Sequence, residues 1–498
     1  MKASKRDLLK VWIVISLCTA GLLSLSSCKE NKKPSFIIVA ADQLSFNAFS
    51  CSEEKSDEVS GLNTLCHESI RFSNAFTTST QTAAAMGSLL TATYPFQHQL
   101  HRSFDRLNPD LPTLPELFKT QKYRTAFWSG KPTILKKTGL SRGFDLFDDI
   151  SFLLQSSYSI SFRRQSDLFF NWVEESSAPF FSVIYSSDLD SINEGEEQIS
   201  GLEKFDESLG LFFERLKEEN LWESNYVIVV GLQGKSEYAR LNESVYSNLH
   251  SEATRVAMFI KPPRQKGDEG INWKFDSPIS LADFGYSLAK TVSPQINITS
   301  DPQFPVWSFS ALWSSNELDS IPNEPRFLLV EAANTWKKSL ELRFSLIFKH
   351  YLFIEADTNE FYNRLTDGLE TINLISTQNE VTADDLRSLR RIRELSNADK
   401  WRTYTGSEYK LSQNNREYWA KPNSRASVFD KEASRLKKNK TTNPLSTLLI
   451  YFKNPKQEKD ALYEEARRHS YNLSLENIWG LWDPDRQWPQ PAVTNANQ

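Results

Sequence analysis

Three short, uninterrupted apolar runs constrain this 498-residue chain more than any other feature. They are Ser35-Phe36-Ile37-Ile38-Val39-Ala40, Pro179-Phe180-Phe181-Ser182-Val183-Ile184-Tyr185 and Tyr226-Val227-Ile228-Val229-Val230. A strand with one wet face alternates apolar and polar residues, whereas a run without alternation suits a parallel strand buried on both faces. Between the second and third runs, Ile199, Leu202, Phe205, Leu209, Phe212 and Leu216 recur at steps of three and four. That spacing predicts a helix over residues 198–219. Strands alternating with helices form βαβ units and a largely parallel sheet. Ligands bind such sheets outside the carboxyl ends of the strands, so the residues just after each run are the candidates for chemistry.

From about residue 325 to 374 the pattern changes to short strands, as in Arg343-Phe344-Ser345-Leu346-Ile347 and Tyr351-Leu352-Phe353-Ile354. This predicts a small antiparallel subdomain. Beyond Val381 the chain reads as helical and polar, with a basic run at Lys437-Lys438-Asn439-Lys440 and a tail holding Trp479, Trp482 and Trp488 among prolines. Those tryptophans are expected to pack the tail against the body rather than to stack on sugar rings. Residues 381–498 carry 21 Lys+Arg against 15 Asp+Glu, and the remainder carries 37 against 48. A mildly basic extension therefore follows an acidic body, as expected of solvated helix faces. The formal net charge of −5 gives no electrostatic case for a nucleic-acid partner.

At the N-terminus, Lys2, Lys5, Arg6 and Lys10 precede VWIVISLCTAGLLSL, an apolar stretch too short for a comfortable membrane span. It ends in Leu25-Ser26-Ser27-Cys28, which resembles the lipobox of bacterial lipoproteins. The resemblance implies a signal peptide over residues 1–27, a diacylglyceryl group on Cys28 and a linker over residues 28–33. Each buried CH2 of the acyl chains contributes roughly 0.8 kcal/mol, so two or three chains anchor a protein firmly. Lys29 stands where inner-membrane retention in enteric bacteria uses Asp, which favours the outer membrane. The expectation is an exported, lipid-anchored protein facing the periplasm or the cell surface, with the bilayer as one partner. With Cys18 removed and Cys28 acylated, Cys51 and Cys66 remain, in a compartment that permits but does not dictate a disulfide.

Five passages in order resemble the sulfatase branch of the alkaline phosphatase superfamily, over roughly residues 34–375. They are Ala41-Asp42-Gln43-Leu44; Phe72-Ser73-Asn74-Ala75-Phe76 leading into TTSTQTAAAMGSLLTATYP; LPELFKTQKYRTAFWSGKPTILKKTGLSRGFDLF; the helix and run ending at Val230; and Glu360-Phe361-Tyr362-Asn363 with Thr366-Asp367 and Glu370-Thr371-Ile372-Asn373-Leu374. The resemblance implies an α/β fold, an alkaline-phosphatase-like sandwich with a mainly parallel central sheet flanked by helices. Residues 34–320 would form this α/β domain, residues 321–378 an antiparallel C-terminal subdomain, and residues 379–498 a helical extension.

Sulfatases of this family attack with a hydrated formylglycine, made from Cys or Ser in a Cys/Ser-x-Pro-x-Arg stretch. Matching the flanks places Thr82 at the nucleophile, Ala84 at the proline and Met86 at the arginine. Threonine cannot become formylglycine, although some relatives use a threonine hydroxyl, which needs a metal or base to activate it. The family's paired aspartates become Asp42 and Gln43, and the later metal-binding pair becomes Leu232 and Gln233. Calcium wants six to eight oxygen ligands with carboxylate charge, a poor match to one carboxylate, two amides and a hydroxyl. Lys131 matches a lysine that holds the sulfate, the histidine two residues on is Thr133, and His98 matches a histidine common after the nucleophile helix. Ser186, Ser187, Asp188, Leu189 and Asp190 follow the second run where the family has a histidine, so Asp188 or Asp190 would be the displaced carboxylate.

The expectation is therefore a membrane-anchored relative that lacks formylglycine and calcium chemistry and acts as a binding or envelope component, with an envelope polysaccharide or protein as candidate partner. The rival is an ester hydrolase or transferase that uses Thr82 with an atypical divalent metal, calcium by resemblance.

Overall fold

The computed structural model describes most of residues 33–398; the stretches 49–50, 52–59, 152–158, 191–197, 236–247, 266–270, 315–320, 334–339, 356–358 and 376–382 and the positions 104, 132, 150, 299 and 323 are excepted. Cys28, the Lys437-Lys438-Asn439-Lys440 run, Trp479, Trp482 and Trp488 lie outside the described residues. Among the described residues, no helix is long and apolar enough to cross a membrane.

In chain order the strands begin with β1 (Phe36–Ala41), β2 (Ile70–Phe72), β3 (Ala75–Phe76), β4 (Arg124–Ser129), β5 (Leu146–Asp148), β6 (Phe180–Ser186) and β7 (Tyr226–Gly231). They continue with β8 (Met258–Lys261), β9 (Trp273–Phe275), β10 (Ile279–Ser280), β11 (Phe327–Ala333), β12 (Leu342–Phe348), β13 (Tyr351–Glu355) and β14 (Glu360–Asn363). The three apolar runs form β1, β6 and β7, the heart of an eight-stranded sheet ordered β5-β4-β6-β1-β7-β8-β2-β9. From β5 to β7 the pairing is parallel, and β8 runs against both of its neighbours.

Every residue of β1 is buried, and its period of two divides it between two cores. Phe36, Ile38 and Ala40 pack beneath the Thr82–Thr91 and Leu281–Val292 helices. Ile37, Val39 and Ala41 pack beneath the Gly61–Glu68, Phe162–Glu174 and Gln198–Glu218 helices. On the last of these, Phe205, Leu209, Phe212 and Leu216 are buried as the spacing predicts. Burying each such side chain contributes about 1.5–3 kcal/mol.

Strands β11 to β14 form the expected antiparallel sheet. Leu389 and Ile392 of the Ala383–Ala398 helix share its core with Phe96 and Phe304. Backbone bonds join this sheet to the segment before Thr82: Glu331 N–H donates to Thr78 and Thr80 N–H donates to Glu331. Cys51 and Cys66 are joined by a disulfide, with their Cα atoms 5.6 Å apart, which settles the pairing the sequence left open.

Two glycines bring the ends of β1 and β7 together. A Cβ on Gly231 would lie 2.3 Å from the Leu44 carbonyl oxygen, and one on Gly234 would lie 2.2 Å from that of Glu252. Only a residue without a side chain allows this approach, and it places the turn after β1 beside the loop after β7.

Candidate functional site

Strand β1 ends by turning through Asp42 and Gln43, the latter in the left-handed region at φ 55°. Asp42 is fully buried. Its Oδ2 accepts three hydrogen bonds: from the Tyr185 hydroxyl at 2.6 Å, from Lys131 Nζ at 2.9 Å and from Thr82 Oγ1 at 3.1 Å. Its Oδ1 is buried and accepts none among the described residues. Burial, and next the charge of Asp42, raise the Tyr185 phenol well above its ordinary value, so it stays protonated and donates. The Thr133 hydroxyl lies 2.7 Å from the Tyr185 oxygen and therefore supplies the proton of that bond. Gln233 Nε2 donates to Thr82 Oγ1 over 3.4 Å. Thr82 thus accepts from an amide and donates to a carboxylate.

The chain brings Asp42, Thr82, Lys131 and Gln233 together, with Tyr185 and Thr133 beside them. Tyr185 was hidden in the sequence because it ends an apolar run and reads as one more core residue. The visible signal was its place at the carboxyl end of a central strand. Gln43 sits in the adjacent turn. Leu232 is fully buried in the core and offers no donor atom.

His98 serves a different place. Leu100 N–H donates to its Nδ1 at 3.1 Å, which leaves the proton on Nε2, 3.0 Å from Ser88 Oγ. Burial and then the neighbouring His101 hold this imidazole well below its ordinary range, so it is neutral. It braces the turn after the Thr82–Thr91 helix.

Asp188 likewise turns to structure. Both of its oxygens accept from Phe162 N–H, at 3.1 and 3.0 Å, at the start of the Phe162–Glu174 helix. Asp190 ends the same short turn, Asp188–Asp190. Burial pushes the Asp188 carboxyl up from 3.8 to about 6. The folded protein therefore binds this proton more tightly than the unfolded chain does. The stability so gained is complete below about pH 4 and is lost as the pH rises through about 6. Asp188→Asn is expected to remove a slope on the order of 3 kcal/mol between about pH 4 and 7. Urea unfolding across that range checks it, and an unchanged slope would contradict the assignment.

Among the described residues the centre offers the Asp42 carboxylate, the Gln233 amide and the Thr82 hydroxyl as oxygen donors. No group of three or more His, Cys, Asp or Glu among the described residues is arranged to hold a metal ion. The one carboxylate of the centre among the described residues, Asp42, faces the ammonium of Lys131, whose side chain is 16% exposed. What the centre can do without a metal is hold a neutral threonine hydroxyl in place. The Asp42 oxygen that faces this hydroxyl is already shared with an ammonium and a phenol.

A parallel sheet between helical layers, an appended antiparallel sheet, and a threonine opening a helix opposite an aspartate at the end of the first strand define an α/β protein of alkaline-phosphatase-like fold. Residues 34–188 match the family described as Sulfatase, and the fold is that of the sulfatases and phosphonate hydrolases of this superfamily. No curated protein sequence matches the chain. Among solved structures, the phosphonate monoester hydrolase of Agrobacterium radiobacter superposes with a TM-score of 0.55 at 13% identity, covering 77% of this chain and 99% of that one. The candidate sulfatase yidJ of Bacteroides fragilis gives 0.53 at 17%, covering 78% and 99%. A protein solved in complex with its substrate D-glucosamine-2-N,6-O-disulfate gives 0.52 at 12%, covering 73% and 97%. Identities this low establish the fold, and activity must be argued from the residues.

Proposed function

We propose that this chain is a sulfatase-fold protein that does not hydrolyse esters, and that it acts by binding an envelope polysaccharide or protein while anchored by lipid on Cys28. One observation carries the reading: Lys131 Nζ lies 2.9 Å from Asp42, the one carboxylate of the centre among the described residues, where family chemistry needs cations held by several acids. Leu232, buried in the core, supports it. A threonine hydroxyl without a metal or a free base has nothing to raise its nucleophilicity. A fold neighbour solved with a sulfated glucosamine as its substrate points to anionic sugars as the ligand class.

The test uses the full chain in detergent, dialysed against calcium, manganese and zinc, then assayed for bound metal and for cleavage of aryl sulfates, phosphate monoesters and phosphodiesters. Less than about a tenth of an equivalent of metal and no turnover are expected, since hydroxyl attack at neutral pH needs activation. Turnover abolished in Thr82→Ala would overturn the proposal in favour of a threonine hydrolase. The anchor is tested separately. The wild-type chain, expressed in a bacterium, should sediment with membranes, and Cys28→Ala should release it. Sedimentation unaffected by Cys28→Ala would remove the lipid.

A further inference from the structure

A cavity of about 100 Å³ is lined by residues that follow Asp42 and Gln233 in the chain. The two loops that build the Thr82 centre continue into it: the turn after Asp42 contributes Ser45 to its wall, and the loop after Gln233 contributes Lys235. The Ser251–Thr254 helical turn closes one side, and the 364–370 turn of the antiparallel subdomain closes the other.

Three cations, Lys235, Arg255 and Arg364, line it against two carboxylates, Glu252 and Glu370. Both carboxylates are engaged by neighbouring groups. Glu370 accepts from His250 Nδ1 at 2.9 Å and from Ser251 N–H at 3.0 Å. Glu252 accepts from Asn248 Nδ2 at 2.6 Å. The two guanidiniums keep donors in reserve. Arg255 spends Nε and one N–H of Nη2 on the Ser73 carbonyl, with its Cζ 3.8 Å over the Phe46 ring. Arg364 donates Nη2 to the Lys349 carbonyl at 2.8 Å. Its Nε and the Ser251 hydroxyl are buried without a hydrogen-bond partner among the described residues. A guanidinium has five N–H donors in a planar fork that matches the oxygens of an oxyanion.

We propose that this cavity binds a tetrahedral oxyanion, the sulfate or phosphate ester group of an anionic ligand, on Arg255, Arg364, Lys235 and the Ser251 hydroxyl. Burial, opposed by the charge of Glu370 and aided by that of Arg255, lowers Arg364 to about 10. A bound dianion would relieve that repulsion and fill the two unused donors. The inference deepens the binding role proposed above and rests on that reading only for its biological meaning, because anion affinity is measured without reference to turnover.

The experiment is calorimetric titration of the full chain with inorganic sulfate, inorganic phosphate and chloride at matched ionic strength. Sulfate and phosphate should bind and chloride should not. Arg364→Gln should weaken the affinity by about tenfold or more, the size expected for one charge-assisted contact. No anion-specific binding by the wild-type chain would overturn the inference. So would binding that survives Arg364→Gln but is lost in Thr82→Ala, which would place the anion in the Thr82 centre. Should Arg364→Gln fail to fold, Lys235→Gln and Ser251→Ala together are expected to give the same loss, and full affinity in that pair would overturn it equally. Whichever oxyanion binds more tightly distinguishes sulfate esters from phosphate esters as the source.

Discussion

Asp283→Ala is expected to destabilise the protein by about 3–5 kcal/mol, the range for removing one partner of a buried ion pair. Asp283 is fully buried on the Leu281–Val292 helix. Its two oxygens take the guanidinium of Arg326 in a fork, Nη1 at 2.7 Å and Nη2 at 2.6 Å. The same carboxylate accepts from Ser280 N–H at 2.7 Å, capping the helix, and from Trp307 N–H at 2.7 Å. Alanine would strand a buried guanidinium and two backbone donors at once. Against a total stability of about 5–15 kcal/mol, that is a large share. Urea unfolding of Asp283→Ala, Arg326→Met and the double variant checks the argument. The double variant should lose less than the two singles together, because neither charge is then left alone. Strict additivity would show the pair to be incidental.

The location of this pair explains why it was not legible in the sequence. Arg326 immediately precedes β11 of the antiparallel sheet, and Asp283 lies on the Leu281–Val292 helix, which packs on the central sheet. The change from long apolar runs to short alternating strands marks where one packing regime gives way to another. It carries no information about which buried charges join them. A trace was present in Ser280-Leu281-Ala282-Asp283, a capping-box spacing that the structure realises. That pattern predicts a helix start, and the arginine that also uses the acid is set by tertiary contact.

The same distinction separates what was legible in the sheet from what was not. Strands β1, β6 and β7 are central and buried on both faces, so their sequences had to be continuously apolar. Strand β2, three residues long, has no pattern long enough to show a period. The candidate centre follows the same logic. Asp42, Thr82, Lys131 and Gln233 stand at the ends of strands or at the start of a helix, where fold-level matching puts them in register. Tyr185 reaches Asp42 only because an apolar strand ends in a residue with a polar tip. Asp188 was a reasonable ligand by position. Its carboxylate proved to serve the first N–H of the Phe162–Glu174 helix, a choice that depends on where that helix begins in space.

Lys131→Met tests the centre itself, and its effect should depend on pH. In the wild-type chain the ammonium compensates a carboxylate that has no exposure to solvent. Without it, Asp42 keeps, among the described residues, the neutral hydroxyls of Tyr185 and Thr82. An uncompensated buried carboxylate destabilises by about 3–5 kcal/mol. The folded variant escapes most of that cost by taking up a proton, so the loss should be fullest above about pH 7 and should shrink as the pH falls toward the ordinary carboxylate range near 4. A loss independent of pH would mean that Lys131 acts through its alkyl packing and not through its charge. Calcium sharpens the argument. If the ammonium merely obstructs a competent metal site, calcium should restore the unfolding midpoint of Lys131→Met. The expected result is no restoration, because Leu232 supplies no oxygen and one carboxylate with amides cannot meet the demand of a hard divalent ion for charged oxygen ligands. The lysine would then be part of a rebuilt centre whose function is to hold, and the loss of metal chemistry would be built into the strand ends rather than imposed by a single side chain.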